Sequence, residues 1–434
     1  MKRRLTAAGV ALVAALSLTA CSSGGGGGDA PAADGPITLS LSGWSLSTTP
    51  EFQALADAFH EKDPDVTIEV KEYDATNYDT LMTADLAAGS GPDIVTQKNV
   101  KNVVTYQAGG QLLDVSDIEL PDDLGGVEAY QVDDKQWAAP YRQDSWVLFY
   151  NKALFDQAGV AYPDGSWTWD DYEATAEQLT TALAAAGSSA VGTYEHSWQS
   201  TVQGFASAQT PDIDILDADY GYLEPYYERA LALQDAGAQA EYNTVVANKL
   251  TYQAEFGKQN AAMMPMGTWF VASLIAQQAS GDSDTFDWGF APIPQFDEST
   301  TGMDQTPVTF GDPTGFGINA GIDSGKQAAA KEFLEFASSE EGAEVVASLG
   351  ITPALTSDAV AEAYFAVDSA PTDEVSKFAW STHDTKPENP TSAKTAAVQN
   401  VLLDLHTAVM SGSTSLDDAV KSAEDRVKNE VGTN

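Results

Sequence analysis

Alternating apolar and polar positions along this chain predict a succession of strands and helices. Residues 37–42 and 66–70 alternate with the two-residue period of half-buried strands. Between them, residues 50–62 place apolar side chains at the spacing of one helix face. Dense apolar runs at 146–150 and 261–266 predict buried strands. Further helical spacing occurs at 78–88, 169–184, 269–278, 327–338, 341–349 and within 391–431. This order favours an α/β fold in which helices cover sheets.

The first twenty residues differ from the rest and predict a secretory signal peptide. A basic start is followed by a short apolar stretch that ends in small residues and is too short to span a membrane. Residues 18–21, Leu-Thr-Ala-Cys, resemble the lipobox of bacterial lipoproteins, whose cysteine becomes the acylated N-terminus. An ordinary signal with a chance cysteine is the alternative. We expect a signal peptide over 1–20, a lipid anchor at Cys21 and a flexible tether over 21–36.

Charge and cysteine content narrow the possible functions. The formal net charge is −43, and without Lys2, Arg3 and Arg4 the chain has 18 basic against 64 acidic residues, a net charge of −46. Nucleic acid and anionic lipid would be repelled by this charge, which is spread thinly, as on a solvated surface. The one cysteine permits no intrachain disulfide, and the four histidines are scattered, so we expect no metal site. A large core in two domains must therefore stabilise the fold.

Several motifs follow one another in an order typical of one protein family. They lie at residues 58–66, 88–95, 140–141, 148–155, 261–269, 288–294, 329–341 and 350–353. In this order, and behind a lipobox, they resemble the family 1 extracellular solute-binding proteins of ABC importers, the group that includes the maltose-binding proteins. The resemblance covers residues 37–431, which is nearly all of the mature chain.

The resemblance implies a two-lobe, periplasmic-binding-protein-like α/β fold of type II with a ligand cleft between the lobes. The implied lobes are 37–145 with 290–337 and 146–289 with 338–434, and the implied crossings lie near 143–146, 289–292 and 338–342. The implied function is that of a monomeric extracellular lipoprotein without a cofactor. It would capture a mono- or oligosaccharide by hinge closure and deliver it to the permease subunits of an ABC importer. No bond would be made or broken.

A sugar site needs flat aromatic platforms and convergent polar groups, and this requirement selects the candidate residues. The candidates are Trp44, Ser45, Gln97, Arg142, Asp144, Glu195, Trp198, Gly267, Trp269 and Trp380. Trp44 follows the first predicted strand, where open α/β sheets place ligand loops. Trp269 matches the family's ligand-stacking tryptophan, and Gly267 before it allows close backbone approach. Trp198 and Trp380 stand where the family carries ligand aromatics.

The polar candidates leave alternatives open. Arg142 and Asp144 flank the first crossing and, two residues apart, face the same way, so they could contact a ligand or form a pair that stiffens the hinge. Glu195 could reach sugar hydroxyls or lie in a solvated loop. Gln97 stands about where maltose-binding members often carry a tryptophan, a departure that argues against a maltodextrin ligand.

Two other functions remain open from the sequence. One is the same fold with a non-sugar solute, such as a peptide, a polyamine or a glycerol phosphate ester. A phosphate ester would favour more basic residues than Lys98, Lys101 and Arg142 supply, and the chain has no Gly-rich phosphate loop. The other is a secreted glycosidase, which would need two carboxylates about 5 to 9.5 Å apart. No sequence signature places such a pair.

Overall fold

Strands and helices alternate through residues 35–47 and 50–432, the part of the chain that our computed structural model describes. Cys21, the predicted signal peptide and the tether up to residue 34 lie outside these residues. The strands are β1 Ile37–Trp44, β2 Val66–Tyr73, β3 Ile94–Gln97, β4 Gln131–Val132, β5 Lys135–Gln136, β6 Ala139–Gln143, β7 Trp146–Asn151, β8 Val191–Thr193, β9 Ala261–Gly267, β10 Trp288–Pro292, β11 Val308–Phe310, β12 Pro313–Ile318 and β13 Asp384–Lys386.

α-Helices alternate with these strands along the described part of the chain. They are α1 Glu51–Lys62, α2 Tyr78–Ala88, α3 Val103–Ala108, α4 Lys152–Ala158, α5 Trp169–Ala185, α6 Ser200–Gln209, α7 Glu224–Asp235, α8 Tyr242–Asn248, α9 Tyr252–Gly257, α10 Trp269–Ser280, α11 Gln327–Ala337, α12 Glu340–Ala347, α13 Asp358–Phe365, α14 Glu374–Ser381, α15 Thr395–Met410 and α16 Leu416–Arg426. None of the helices in the described part of the chain combines the length and apolarity that crossing a bilayer requires.

The first sheet has the strand order β2-β1-β3-β12-β6. Strand β12 is antiparallel to both β3 and β6, and β1 is parallel to β2 and β3, so four of the five strands run the same way. Their carboxyl ends therefore share one edge of the sheet. Trp44 ends β1, Lys98 follows β3 and Arg142 lies at the end of β6, which brings these three residues to that edge. Helix α1 buries its predicted apolar face against this sheet.

The second sheet has the order β10-β7-β9-β8, with β7 antiparallel to β9 and β10, and β8 parallel to β9. The start of β7 therefore shares an edge with the ends of the other three strands. Only residues 144–145 separate β6 from β7, so these edges of the two sheets meet at this crossing. We call each of them the ligand edge, because the sequence predicts the ligand loops there. Each sheet has its own hydrophobic core, one around Phe52, Phe316 and Phe333 and the other around Phe149 and Phe290.

Two of the expected lobe boundaries need correction. A boundary between residues 289 and 290 would cut β10, which pairs with β7 over its whole length. The chain returns to the first sheet between Pro292 and Pro313 instead. Helix α12, expected in the second lobe, contacts α1 and β6 of the first sheet. One face of α12 buries Val346 in the core of the first sheet, and another face buries Ala347 in the core of the second sheet.

Candidate ligand-binding site

Three aromatic rings meet beyond the ends of β8 and β9, and we call Trp198, Tyr252 and Trp269 the aromatic corner. The ring centroid of Trp198 lies 5.5 Å from that of Tyr252 and 6.5 Å from that of Trp269. The Trp198 plane is inclined by 61° to the first ring and 51° to the second. Trp198 is 40% exposed, which is high for an indole, and the other two rings are half-buried. The corner therefore offers an open aromatic face.

Gly267 provides the seat on which the Trp269 ring lies. A β-carbon at this position would stand 1.9 Å from Cζ3 of Trp269, well inside van der Waals contact. On its other side the Trp269 ring meets Trp146 edge to face, with centroids 5.4 Å apart. The predicted close approach at Gly267 thus serves the tryptophan rather than a ligand directly, because the ring fills the space that a side chain would take.

Hydrogen bonds from the first turn of α6 hold the loop that carries Trp198. Thr201 Oγ1 donates to the carbonyl oxygens of His196 and Trp198, at 3.0 and 2.7 Å. The His196 ring packs edge-on against Trp198 at 4.5 Å, and its Nδ1 lies 2.8 Å from the hydroxyl of Tyr194. Burial lowers the pKa of His196 to about 4, so the ring is neutral near pH 7. An exposed indole on a fixed loop is a preorganised contact surface.

Arg142 and Asp144 form a buried ion cluster with Glu51, which we call the hinge ion cluster. Arg142 Nε donates to Asp144 Oδ2 at 2.5 Å, and Nη1 donates to Glu51 Oε1 at 2.8 Å. The second Asp144 oxygen accepts from Thr268 Oγ1 at 2.9 Å. Both Arg142 and Asp144 are only 7% exposed. Of the two alternatives for this pair, the structure favours internal pairing at the hinge, which ties α1 to the turn before Trp269.

The titration behaviour of these groups follows from their burial. Burial raises the pKa of Glu51, and the charge of Arg142 offsets only part of that rise. For Arg142, burial acts to lower the pKa because it disfavours the charged form. The negative charges of Asp144 and Glu51 outweigh burial, so the pKa of Arg142 is raised. The pKa of Tyr252 is raised to about 12, chiefly by burial, and the charges of Arg142 and Asp144 also act on it. Since Thr268, the residue before Trp269, donates to Asp144, the aromatic corner lies beside the hinge ion cluster.

On the first sheet, Trp44 stands at the same edge with its neighbours arranged around it. Its ring meets Phe52 at 4.8 Å and Tyr78 at 5.2 Å, both edge to face, and Lys98 Nζ lies 5.2 Å from its centroid. Ser45 follows with a positive φ of 48°, which turns the chain away from the strand. Both residues are half-buried and remain candidates for ligand contact.

Three candidates, Gln97, Trp380 and Glu195, are buried in the described structure rather than exposed to a ligand, and their contact with a ligand stays a prediction. Gln97 is 1% exposed because its strand is covered on both faces, and its Nε2 turns back to the carbonyl of Val95. Trp380 is 2% exposed and packs against Tyr364 at 4.9 Å, as a core residue. Glu195 is 7% exposed and accepts a hydrogen bond from a buried tyrosine hydroxyl.

Glu195 and Arg229 are two buried groups of opposite charge that act on each other without a direct hydrogen bond in the described structure. Oε1 of Glu195 accepts from Tyr172 at 3.2 Å, whereas Oε2 has no hydrogen-bond partner within the protein. Nε and Nη2 of Arg229 are likewise buried without a protein partner. Burial raises the pKa of Glu195, and the charge of Arg229 opposes that rise. Burial lowers the pKa of Arg229, and the charge of Glu195 opposes that decrease. Such unpaired atoms are what a bridging water satisfies in protein interiors.

Sequence reasoning missed a pair of carboxyl groups beside the site, which we call the acidic junction, Asp312 and Glu388. Asp312 Oδ1 accepts from the backbone nitrogens of Glu388 and Asn389, and Oδ2 accepts from Asn389 Nδ2 at 2.6 Å. The Glu388 carboxylate is hydrogen-bonded to Ser200 Oγ. Burial, followed by the charge of Asp312, raises the pKa of Glu388 to about 7, while Lys101 opposes both. Among 64 acidic residues, the sequence offered no signal for this pair.

We expect the acidic junction to make the protein less stable as pH rises from about 5 to 8. Glu388 keeps its proton up to about pH 7 in the folded state but releases it near 4.5 when unfolded. The folded state therefore binds more protons in this window, and the free energy of unfolding falls with increasing pH. In Glu388→Gln, urea unfolding should show a flatter pH dependence than in the wild type. An unchanged slope would contradict the assignment.

Comparison with known proteins adds independent findings. The family model described as bacterial extracellular solute-binding protein matches residues 45–344. A sugar transporter structure from Rhizobium etli, in an open conformation, is 32% identical, with a TM-score of 0.78 over 91% of this chain and 99% of that one. The GacH receptor of Streptomyces glaucescens, solved unliganded and with acarbose, is 21% identical, with a TM-score of 0.70 over 90% and 97%. These likenesses confirm the predicted two-lobe α/β fold.

A curated relative agrees over a shorter stretch. A putative binding protein of Brucella abortus is 24% identical over 177 residues, which is 39% of this chain. The match spans 40% of that relative's length.

Proposed function

The chain belongs to the family of bacterial extracellular solute-binding proteins, and we propose that it captures a carbohydrate and delivers it to an ABC importer. The observation that supports a sugar ligand is the aromatic corner. There the indole of Trp198, on a fixed loop, is 40% exposed at the edge where the two sheets meet. The C–H faces of a sugar ring bind to such platforms. The 32% identical sugar transporter of Rhizobium etli supports the same ligand class.

The proposed mechanism is hinge closure without chemistry. A sugar stacked on Trp198 or Trp269 would bind to the lobe of the second sheet. Contacts with Trp44 and Ser45 would join the same sugar to the lobe of the first sheet. A ligand that bridges both sides stabilises the closed form and shifts the open–closed equilibrium. The hinge ion cluster lies at the crossing between them, where motion must be accommodated. The family binds and transports solutes, and we propose that this chain makes and breaks no bond.

We further propose how the protein is retained at the cell surface. Acylation of Cys21 after removal of the signal peptide would anchor the chain through the Gly-rich tether, as a monomer on the outer face of the membrane. Mass spectrometry of the mature N-terminus tests this anchor directly. A mature chain that starts elsewhere than Cys21 would contradict it.

We expect Trp198→Ala to weaken sugar binding by about 2 kcal/mol, roughly thirtyfold, because the corner loses its most exposed stacking surface. A thermal-shift screen against mono- and oligosaccharides identifies a ligand first, since a ligand that binds only the folded state raises the melting temperature. Calorimetry with that ligand then compares the variant with the wild type.

The matched control is Phe296→Ala, which removes another exposed aromatic ring outside the corner. It should leave sugar affinity within about twofold. Equal affinities for the wild type and Trp198→Ala would remove the corner from the site. The absence of a thermal shift with every sugar tested would overturn carbohydrate capture itself.

A further inference from the structure

The cations at the ligand edge of the first sheet are already engaged by the protein. Arg142 directs Nε and Nη1 to two separate carboxylates, so one guanidinium faces two negative charges. A guanidinium held in this way is compensated before any ligand arrives. Because this cluster is almost wholly buried, an incoming anion would meet a guanidinium whose charge Glu51 and Asp144 already balance.

Lys98 is engaged in a different way. Its Nζ donates to the carbonyl oxygen of Ala75 and lies over the Trp44 ring at 5.2 Å. Burial lowers its pKa, and the charges of Asp79 and Asp74 oppose that shift. The ammonium group therefore points to the first sheet's own loop and to acidic neighbours, which leaves it poorly placed to bind an anionic ligand.

Lys101, the third cation, lies beside the acidic junction. Its charge acts on the carboxyl groups of both Asp312 and Glu388, lowering their pKa against the larger effect of burial. Lys101 makes no ion pair within 4.0 Å of either carboxyl group in the described part of the chain, so this is an effect of charge over distance and not a bonded cluster like that of Arg142. Around the edge where the two sheets meet, the four carboxyl groups of the hinge ion cluster and the acidic junction outnumber the three basic side chains, and above about pH 7 Glu388 adds its charge to them.

We infer that the site accepts uncharged saccharides and excludes those that carry a carboxylate or a phosphate. This inference rests on the proposed capture of a carbohydrate and specifies the charge of its ligand. An anionic sugar would exchange its hydration for a place beside carboxylates, where Lys98 and Arg142 are already engaged and the charge of Lys101 is opposed by Asp312 and Glu388. A neutral sugar meets no such penalty, and carboxylates accept hydrogen bonds from its hydroxyls.

The test uses the mature wild-type protein and matched pairs of sugars at pH 8, where Glu388 is ionised. Glucose with glucuronate, galactose with galacturonate, and any oligosaccharide hit with its C6-oxidised or phosphorylated form are compared by calorimetry. We expect each anionic member to bind at least about tenfold more weakly than its neutral partner. An anionic sugar that binds as tightly or more tightly overturns the inference and leaves carbohydrate capture standing. If no member of any pair binds, the proposed function fails, and the inference fails with it.

Two variants test whether these carboxylates cause the selectivity. Glu388→Gln and Asp144→Asn each remove a negative charge at nearly constant size, and the affinity ratio of neutral to anionic sugar should fall several-fold in either. The second variant keeps the test available if the first folds poorly. Asp117→Asn removes the same charge from an exposed pair with Lys331 and should leave the ratio unchanged. A ratio that moves equally in the control, or in none of the three, overturns the assignment to these residues.

Discussion

Gly267→Ala is expected to abolish most of the ligand response while the protein still folds. The added methyl group would stand 1.9 Å from the Trp269 ring, and the ring is the far end of a side chain that can rotate away. Its displacement would break the edge-to-face contact with Trp146 and change the angle of the aromatic corner. We expect sugar affinity to fall by about 2 kcal/mol, roughly thirtyfold, with a stability cost of about 1–3 kcal/mol. Calorimetry and urea unfolding measure the two effects separately.

A matched glycine separates this effect from the general consequence of adding a methyl group. Gly221 has nothing within 4 Å of the position that a β-carbon would take. Gly221→Ala should therefore bind sugar as the wild type does. If Gly267→Ala retains full affinity, either the Trp269 ring moves without consequence or it takes no part in binding, and its place in the site would have to be abandoned.

The longer helices and strands could be predicted because the spacing of their apolar residues shows which face of each element is buried. The helix expected at 50–62 is α1, Glu51–Lys62, and the apolar run at 261–266 is β9 with one residue added. The three-residue strand β8 was not predicted from spacing, because so short a segment carries no resolvable period. Yet β8 delivers the loop of Trp198, so the missed strand is the one that positions the most exposed ring.

The candidate site was predictable only where a residue's role depends on its place in the chain. Trp269 follows β9, as the family resemblance implied, and Trp198 follows β8 at the same edge of the sheet; the contact of either ring with a ligand stays a prediction. The resemblance placed Trp380 in the site because it transfers position along the chain and not burial, which neighbouring helices decide. Glu195 was chosen because its carboxylate could reach sugar hydroxyls, and no local pattern shows that it is buried. Pairings such as Glu51 with Arg142 join residues 91 positions apart, and no local pattern specifies them.

Arg142→Met is expected to be the most destabilising single change at the hinge. The variant would leave Glu51 and Asp144 buried without their cation, and removing one partner of a buried ion cluster costs about 3–5 kcal/mol. The side chain of Met has a similar length, so the loss reports charge more than volume. Urea unfolding at pH 8 should show this decrease in the free energy of unfolding relative to the wild type.

The pH dependence of the Arg142→Met deficit distinguishes lost charge compensation from lost packing. Burial already raises the pKa of Glu51 from its ordinary value of 4.5, and without Arg142 the pKa must rise further. The folded variant then binds a proton that the unfolded chain releases, so its stability is greatest near the unfolded pKa and falls as pH rises. The deficit should therefore be smaller at pH 5 than at pH 8. Arg426→Met, which breaks an exposed pair with Asp404, should cost under about 1 kcal/mol at both pH values. A deficit for Arg142→Met that stays constant or grows on acidification would show that the guanidinium contributes packing alone, and the hinge ion cluster would lose its electrostatic role.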